Sequence, residues 1–358
     1  MYINGNLYYR NNYRYCKMYK GSNLEWIKFY EPNYLYFYAN EDSTVEWITD
    51  GSISPNLEYS TDGKNFTQWD YSNISVPANS TIYFRGVNNS AISNGNNRFN
   101  INTGNVKVGG SVQSLIDGIG KTLDIPANFM FHSLFKKCSV ITEIDENTLP
   151  ATGLKEGCYA AMLSGCGFTK LSLNLPATTL SNNCYQSMFQ DCKILKTLNI
   201  NLLAKTATPY CYASMFKNNI SLVTANVTIA ATEVGEYSFH SMFRDCNNLT
   251  TTTIDTLYSK VIYGNTYSYM FYNRSKLQKA PKILAETYSG TLPFGYMFYN
   301  CNQINNIECW VNSPSTSAFK SWMSNVKSSG TFYKQPNATW TRGIDGIPSG
   351  WTVGLLKI

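Results

Sequence analysis

YQSMFQDCKIL, residues 185–195, decides how this chain folds, because the chain repeats the phrase seven times. Its form is an aromatic residue, two residues, Met or Leu, an apolar residue, two residues, usually Cys, two residues, then Leu, Ile or an occasional substitute. The other copies are FHSLFKKCSVI from Phe131, YAAMLSGCGFT from Tyr159, YASMFKNNISL from Tyr212, FHSMFRDCNNL from Phe239, YSYMFYNRSKL from Tyr267 and FGYMFYNCNQI from Phe294. Their fourth positions, Leu134, Met162, Met188, Met215, Met242, Met270 and Met297, are separated by 28, 26, 27, 27, 28 and 27 residues. A period this steady marks stacked coils, each burying its apolar face on the next.

Within one coil, the i, i+3, i+4 spacing of Tyr185, Met188 and Phe189 predicts a short helical turn that ends at Cys192. Leu195, Leu198, Ile200 and Leu202 then predict a strand. The expected repeat core is Met162, Met188, Phe189, Met215, Phe216, Met242, Phe243, Met270, Phe271, Met297 and Phe298. Stacked strands lie about 4.8 Å apart, so seven coils predict a slab roughly 30 Å long.

Cysteine follows the period too. Of ten cysteines, Cys138, Cys166, Cys192, Cys246 and Cys301 fill the Cys slot, with Asn219 and Arg274 in its place in two copies. Cys158, Cys184 and Cys211 directly precede the repeat tyrosine. Residues recurring at the coil period form a ladder, and buried thiols packed as small apolar groups explain it best. The Asn is expected to bond the backbone of its turn. Neither C-x-x-C nor a Cys/His cluster at zinc spacing occurs, so no metal is expected.

Outside the repeats, residues 1–30 read as strands around the Lys20-Gly21-Ser22-Asn23 turn, too short and too aromatic to bury their own apolar surface. They are expected to anchor the chain to a partner or to copies of itself. Residues 31–110 alternate apolar and polar in short runs such as YLYFYA from Tyr34 and STIYFRGV from Ser80, which predicts a small β-sandwich. The solenoid is placed at 111–308. The tail 309–358, with Trp310, Trp322, Trp340 and Trp351, is expected to leave the repeat and cap its last open face. The fold class is therefore mainly β with short helices.

Composition narrows the partners. Net charge is +6 at pH 7, but the basic residues are scattered and form no stripe for nucleic acid. No stretch reaches the ~20 apolar residues of a membrane-spanning helix. The opening MYINGNLYYRNNYRYCKMYK lacks the apolar core and cleavage site of a secretion signal. The abundance of Asn and of Tyr, 27 residues, fits an AT-rich coding bias and equally a polar, aromatic binding surface.

The repeats resemble the BspA-like class of leucine-rich repeats, found in surface proteins of Bacteroidetes and in some of their phages. The resemblance rests on aromatic-x-x-Met-Phe-x-x-Cys-x-x-Leu, on the LPATTL connector at 175–180, on SGTFYKQPNATWTRGIDGIPSGWTV at 329–353 and on LEYSTDGKNFTQW at 57–69. Residues 18–26, MYKGSNLEW, are similar to a segment that opens many phage fibre and tail-associated proteins. Together these imply a virion fibre or decoration protein, anchored to other virion proteins through Tyr15, Met18, Tyr19, Gly21, Leu24 and Trp26. They further imply a dimer or trimer whose repeats meet a host surface glycan or protein; the alternative is a bacterial cell-surface adhesin.

Catalytic groups are sparse. His132 and His240 share a slot that Ala, Gln, Ser or Gly fills in other copies, as a tolerant surface position would. Glu143, Asp145 and Glu146 read as a solvated turn rather than an acid/base pair. Cys166 has no histidine in its coil to activate it. No phosphate-binding or dinucleotide motif occurs. The expectation is a non-enzymatic protein without cofactor, with Gln186, His240, Tyr269, Tyr272 and Tyr299 as candidate ligand contacts beside the repeat core.

Overall fold

The computed structural model describes residues 31–356 and, before them, the backbones of three strands, Tyr8–Arg10, Tyr13–Lys20 and Asn23–Phe29. These three pair antiparallel in chain order. The anchoring assignments Tyr15, Met18, Tyr19, Gly21, Leu24 and Trp26 lie outside the residues whose side chains are described.

From the strand Ile141–Ile144 onward the chain is a parallel β-solenoid. Leu171, Leu198, Ala225 and Thr252 lie in one register across the strands Lys170–Leu173, Thr197–Leu202, Thr224–Ile229 and Thr251–Thr252. A second parallel sheet runs through Thr256–Ile262, Lys282–Tyr288, Asn306–Cys309, Thr331–Lys334 and Thr352–Leu355. Inward residues alternate with outward ones, as the buried and exposed pattern of Thr197–Leu202 displays.

The repeat phrase itself is not helical. The only helix among the described residues is Ser114–Asp117, ahead of the first copy. In the coil at 157–166, Ala160, Met162 and Ser164 donate three residues back, at 3.0–3.2 Å. Between them, Tyr159, Ala161, Leu163 and Gly165 donate to carbonyls of the next coil, those of Cys184, Gln186, Met188 and Gln190, at 2.8–3.0 Å. Every fourth residue takes positive φ: Asn183 at 58°, Ser187 at 54° and Asp191 at 62°, with equivalents in each coil. The i, i+3, i+4 spacing is common to a helix and to this run of tight turns. The turns prevail because half of the N–H groups find partners in the neighbouring coil instead of their own.

Stacking does the packing. Phe131, Tyr159, Tyr185, Tyr212, Phe239, Tyr267 and Phe294 form one column of rings with centroids 5.4–6.2 Å apart. Phe189, Phe216, Phe243, Phe271 and Phe298 form another at 5.3–5.9 Å. The core residues expected from the sequence are all buried, from Met162 through Phe298.

The thiol ladder is present, with a reason for its chemistry. Cys138, Cys166, Cys192, Cys246 and Cys301 each point Sγ at a carbonyl of the preceding coil, those of Phe99, Phe135, Leu163, Phe216 and Phe271, at 3.0–3.4 Å. Arg274 does the same with Nη1, 3.0 Å from the Phe243 carbonyl. Asn219 differs from expectation: it is buried, and neither side-chain polar atom has a hydrogen-bond partner among the described residues. The nine described cysteines are all free and buried.

Both ends are fused to the stack. Residues 31–110 form a three-stranded sheet and five strands of a six-stranded one, packed through Phe37, Trp47, Trp69, Phe84 and Phe99. Strand Val106–Gly109 pairs antiparallel with Leu35–Ala39 and parallel with Ile141–Ile144 of the first coil, so no boundary separates the sandwich from the solenoid. Phe99 lies 5.7 Å from Phe135 and its N–H bonds the Leu134 carbonyl, continuing the ladder backwards.

At the other end the tail does not leave the repeat at 309. Phe319 stacks on Phe294 at 4.6 Å, and Trp322 takes the Met position one coil further on. Trp340 then stacks on Trp322 at 5.6 Å, and Trp322 Nε1 donates to the Gly346 carbonyl at 2.9 Å, which closes the core.

Candidate recognition surface

The left-handed residues recur at three slots per coil and, Ser133 and Ser241 excepted, their side chains are at least partly exposed, which makes outward columns. The column after the Met-Phe pair runs Lys137, Gly165, Asp191, Asn218, Asp245, Asn273, Asn300 and Asn325. Asn and Asp tolerate this conformation better than other residues with a Cβ. They also bond one another: Asn218 to Asp191, Asn273 to Asp245 at 2.8 Å, Asn300 to Asn273 at 2.7 Å and Asn325 to Asn300 at 2.7 Å. Much of the asparagine of the repeats thus has a structural task, as an amide ladder.

The other two columns carry aromatics in the later coils. Tyr210 and Tyr237 have φ of 58° and 56° and stack at 4.6 Å. Tyr269 and Tyr296 have φ of 58° and 57° and stack at 4.7 Å. Beside them Tyr272 and Tyr299 stack at 4.9 Å. His240 joins the columns, 5.4 Å from Tyr237 and 5.6 Å from Tyr269. Arg244 lies over both Tyr269 and Tyr272, 5.1 and 5.0 Å from the ring centres, and bonds Asp245. The earlier coils place Ala161, Asn183 and Ser187 in these slots, and the first coil places Phe129 there.

Four of the five candidate contacts, His240, Tyr269, Tyr272 and Tyr299, therefore meet in one half-buried patch. Gln186 does not: it shares the slot of His240 but lies two coils away, with Ala213 between. Tyr210, Tyr237, Tyr296 and Arg244 complete the patch and were missed in the sequence. The signal was there as Tyr pairs 27 residues apart, 210 with 237, 269 with 296 and 272 with 299.

The patch holds little acid/base chemistry. Burial, then the nearby Arg244 and Lys217, push His240 down to about 4, and its Nδ1 has no partner among the described residues. His132 is lowered by burial and by Lys136. Asp145 bonds Lys107 at 2.7 Å and accepts from the Tyr36 hydroxyl at 2.6 Å, while Glu146 accepts from Ser172 at 2.9 Å. The ladder thiols are pushed up by burial, Cys138 and Cys246 to about 11, Cys192 and Cys301 to about 12. Among the described residues no group of His, Cys, Asp and Glu could hold a metal ion, and no helix is long and apolar enough to cross a membrane.

No family model matches the chain, and no curated protein matches it. Among solved structures it is similar to a leucine-rich repeat protein from Bacteroides ovatus, at 15% identity, covering 62% of this chain and 80% of that one, with a TM-score of 0.20. At that score the solenoid assignment rests on the strand registers and ladders of this chain.

Proposed function

We propose that this chain is a non-enzymatic binding protein of leucine-rich-repeat type, whose turn face attaches to a glycan or protein on a cell surface. One observation carries the reading: tyrosines occupy left-handed positions at 210, 237, 269 and 296, where Gly, Ala, Ser or Asn serves in other coils, Phe129 and Leu292 excepted. A bulky residue in that conformation costs roughly 1–2 kcal/mol, and strain of this kind concentrates at functional surfaces. Tyrosine also offers contact area at low entropic cost. Each contact would be weak, and several copies on one particle would add by multivalency.

The finer form of the proposal is a phage fibre or decoration protein, held to the virion through residues 1–30. It is supported by the resemblance of residues 18–26 to phage fibre openings. The alternative carrier is a bacterial cell surface. Fluorescently labelled protein applied to intact cells of the source culture tests the binding role. Wild type is expected to stain cells and Tyr269→Ser/Tyr272→Ser to stain them weakly; equal staining would remove the turn face from the reading. Mass spectrometry of purified phage particles tests the location, and finding the chain only in membranes of uninfected bacteria would exclude the virion.

A further inference from the structure

A second surface, at the opposite end of the chain, is brought together by strand register alone. On the outer face of the six-stranded sheet, Glu143, Lys107, Tyr38 and Thr81 lie side by side across four strands. The next row is Gly109, Tyr36 and Tyr83. Apart from Gly109 these residues, with Asn40, line an open depression of about 570 Å³.

Two glycines shape it. A Cβ on Gly109 would sit 2.3 Å from Cζ and Oη of Tyr36, so the hydroxyl end of the ring rests against the bare backbone of Gly109, while the side chain stays partly exposed. The Tyr36 hydroxyl is pinned there by its bond to Asp145. Tyr83 stands against Gly63, where a Cβ would lie 3.4–3.5 Å from three ring atoms. The two rings are 6.1 Å apart and tilted by 57°, a floor and a wall rather than a closed stack. The tyrosines of the turn face differ: their rings lie nearly parallel at 4.6–4.9 Å, each covering one face of its partner.

Partly exposed tyrosine rings that line an open depression suit the C–H side of a sugar ring. At the rim, Lys107 donates, Glu143 accepts and Thr81 does both, which suits hydroxyl groups. The charge decides between sugars. Lys107 is already paired with Asp145 at 2.7 Å, and Glu143 leaves the site with net negative charge, which repels acidic sugars. We propose that this face is a binding site for neutral saccharide, with Tyr36 as its floor and Tyr83 as its wall.

The test is a microarray carrying neutral and acidic oligosaccharides, probed with the full chain. Wild type is expected to bind neutral spots. Tyr36→Ala and Tyr83→Ala are expected to weaken them about tenfold, equivalent to about 1.4 kcal/mol. Tyr83→Phe keeps the ring and is expected to keep the signal. Glu143→Gln, exposed at the rim, weakens the same spots and serves as the test should an alanine variant fail to fold. The proposal is overturned if no neutral glycan binds, if acidic glycans are preferred, or if the folded variants at Tyr36, Tyr83 and Glu143 bind as wild type does.

Discussion

Ser187, Ser214 and Ser241 hold one slot on three successive coils, with φ of 54°, 56° and 56°. Replacing all three by glycine, and in a second protein all three by alanine, tests the turn run on which every outward column depends. At a left-handed position alanine keeps the Cβ penalty of roughly 1–2 kcal/mol that glycine lacks. Glycine returns about 0.4–1 kcal/mol of this through its freer unfolded chain. The balance favours glycine by about 0.5–1 kcal/mol per site, so the triple-glycine protein should be the more stable by about 2 kcal/mol. A helical coil reverses the order: alanine beats glycine there by about 1 kcal/mol per residue, about 3 kcal/mol for three. Urea unfolding followed by circular dichroism, with midpoints compared at a shared slope, reads the sign directly. A triple-alanine protein more stable than the triple-glycine one would refute the turn geometry, and the recognition surface with it.

Three further outcomes follow from buried groups. Arg274 is buried, with Nε and Nη2 lacking hydrogen-bond partners among the described residues, and burial lowers it to about 10 from 12.5. That shift corresponds to about 3 kcal/mol, against which stand about 2 kcal/mol for its bond to Phe243 and its ring contacts. Arg274→Met is thus expected to raise the melting temperature slightly, and a lower one would contradict this balance. His240 is neutral in the fold because its folded value, about 4, lies below the ordinary 6.5. The unfolded chain therefore takes up its proton first, so the stability it supports is whole above pH 6.5 and is lost as pH falls towards 4, by at most about 3 kcal/mol. His240→Gln should show a smaller drop in melting temperature between pH 7 and pH 4.5 than wild type; an equal drop places the acid sensitivity elsewhere. Finally, the nine described cysteines, free and buried, should resist iodoacetamide at pH 8 until urea is added. Rapid native labelling at any of them would show that its coil opens.

Much of the solenoid was legible because its causes repeat. Met188, Phe189 and Cys192 mean little alone, but their equivalents at a period of about 27 residues identify a buried column, and each is buried. The sandwich strands were legible for the same kind of reason, since Leu35–Ala39 alternates buried and half-buried residues. The turn geometry was not legible. Tyr185, Met188 and Phe189 fit a helix as well as a run of turns, and the choice depends on the carbonyls of Cys211, Ala213 and Met215 one coil away. Asn219 misled in a related way: expected to bond its own turn, its side chain is enclosed with neither polar atom partnered among the described residues.

Sequence by itself determined the coil, its apolar core and its thiol column, because these are set by side-chain size and apolar character recurring at one spacing. Only tertiary structure decided which way the remaining side chains face and what they meet. It placed tyrosines on left-handed turns, gathered His240, Arg244, Tyr272 and Tyr299 into one patch, and laid Tyr36 over Gly109 and beside Tyr83. Such neighbours are distant along the chain. They meet through hydrogen-bond registers between coils and strands, and those registers exist only once the coils have stacked.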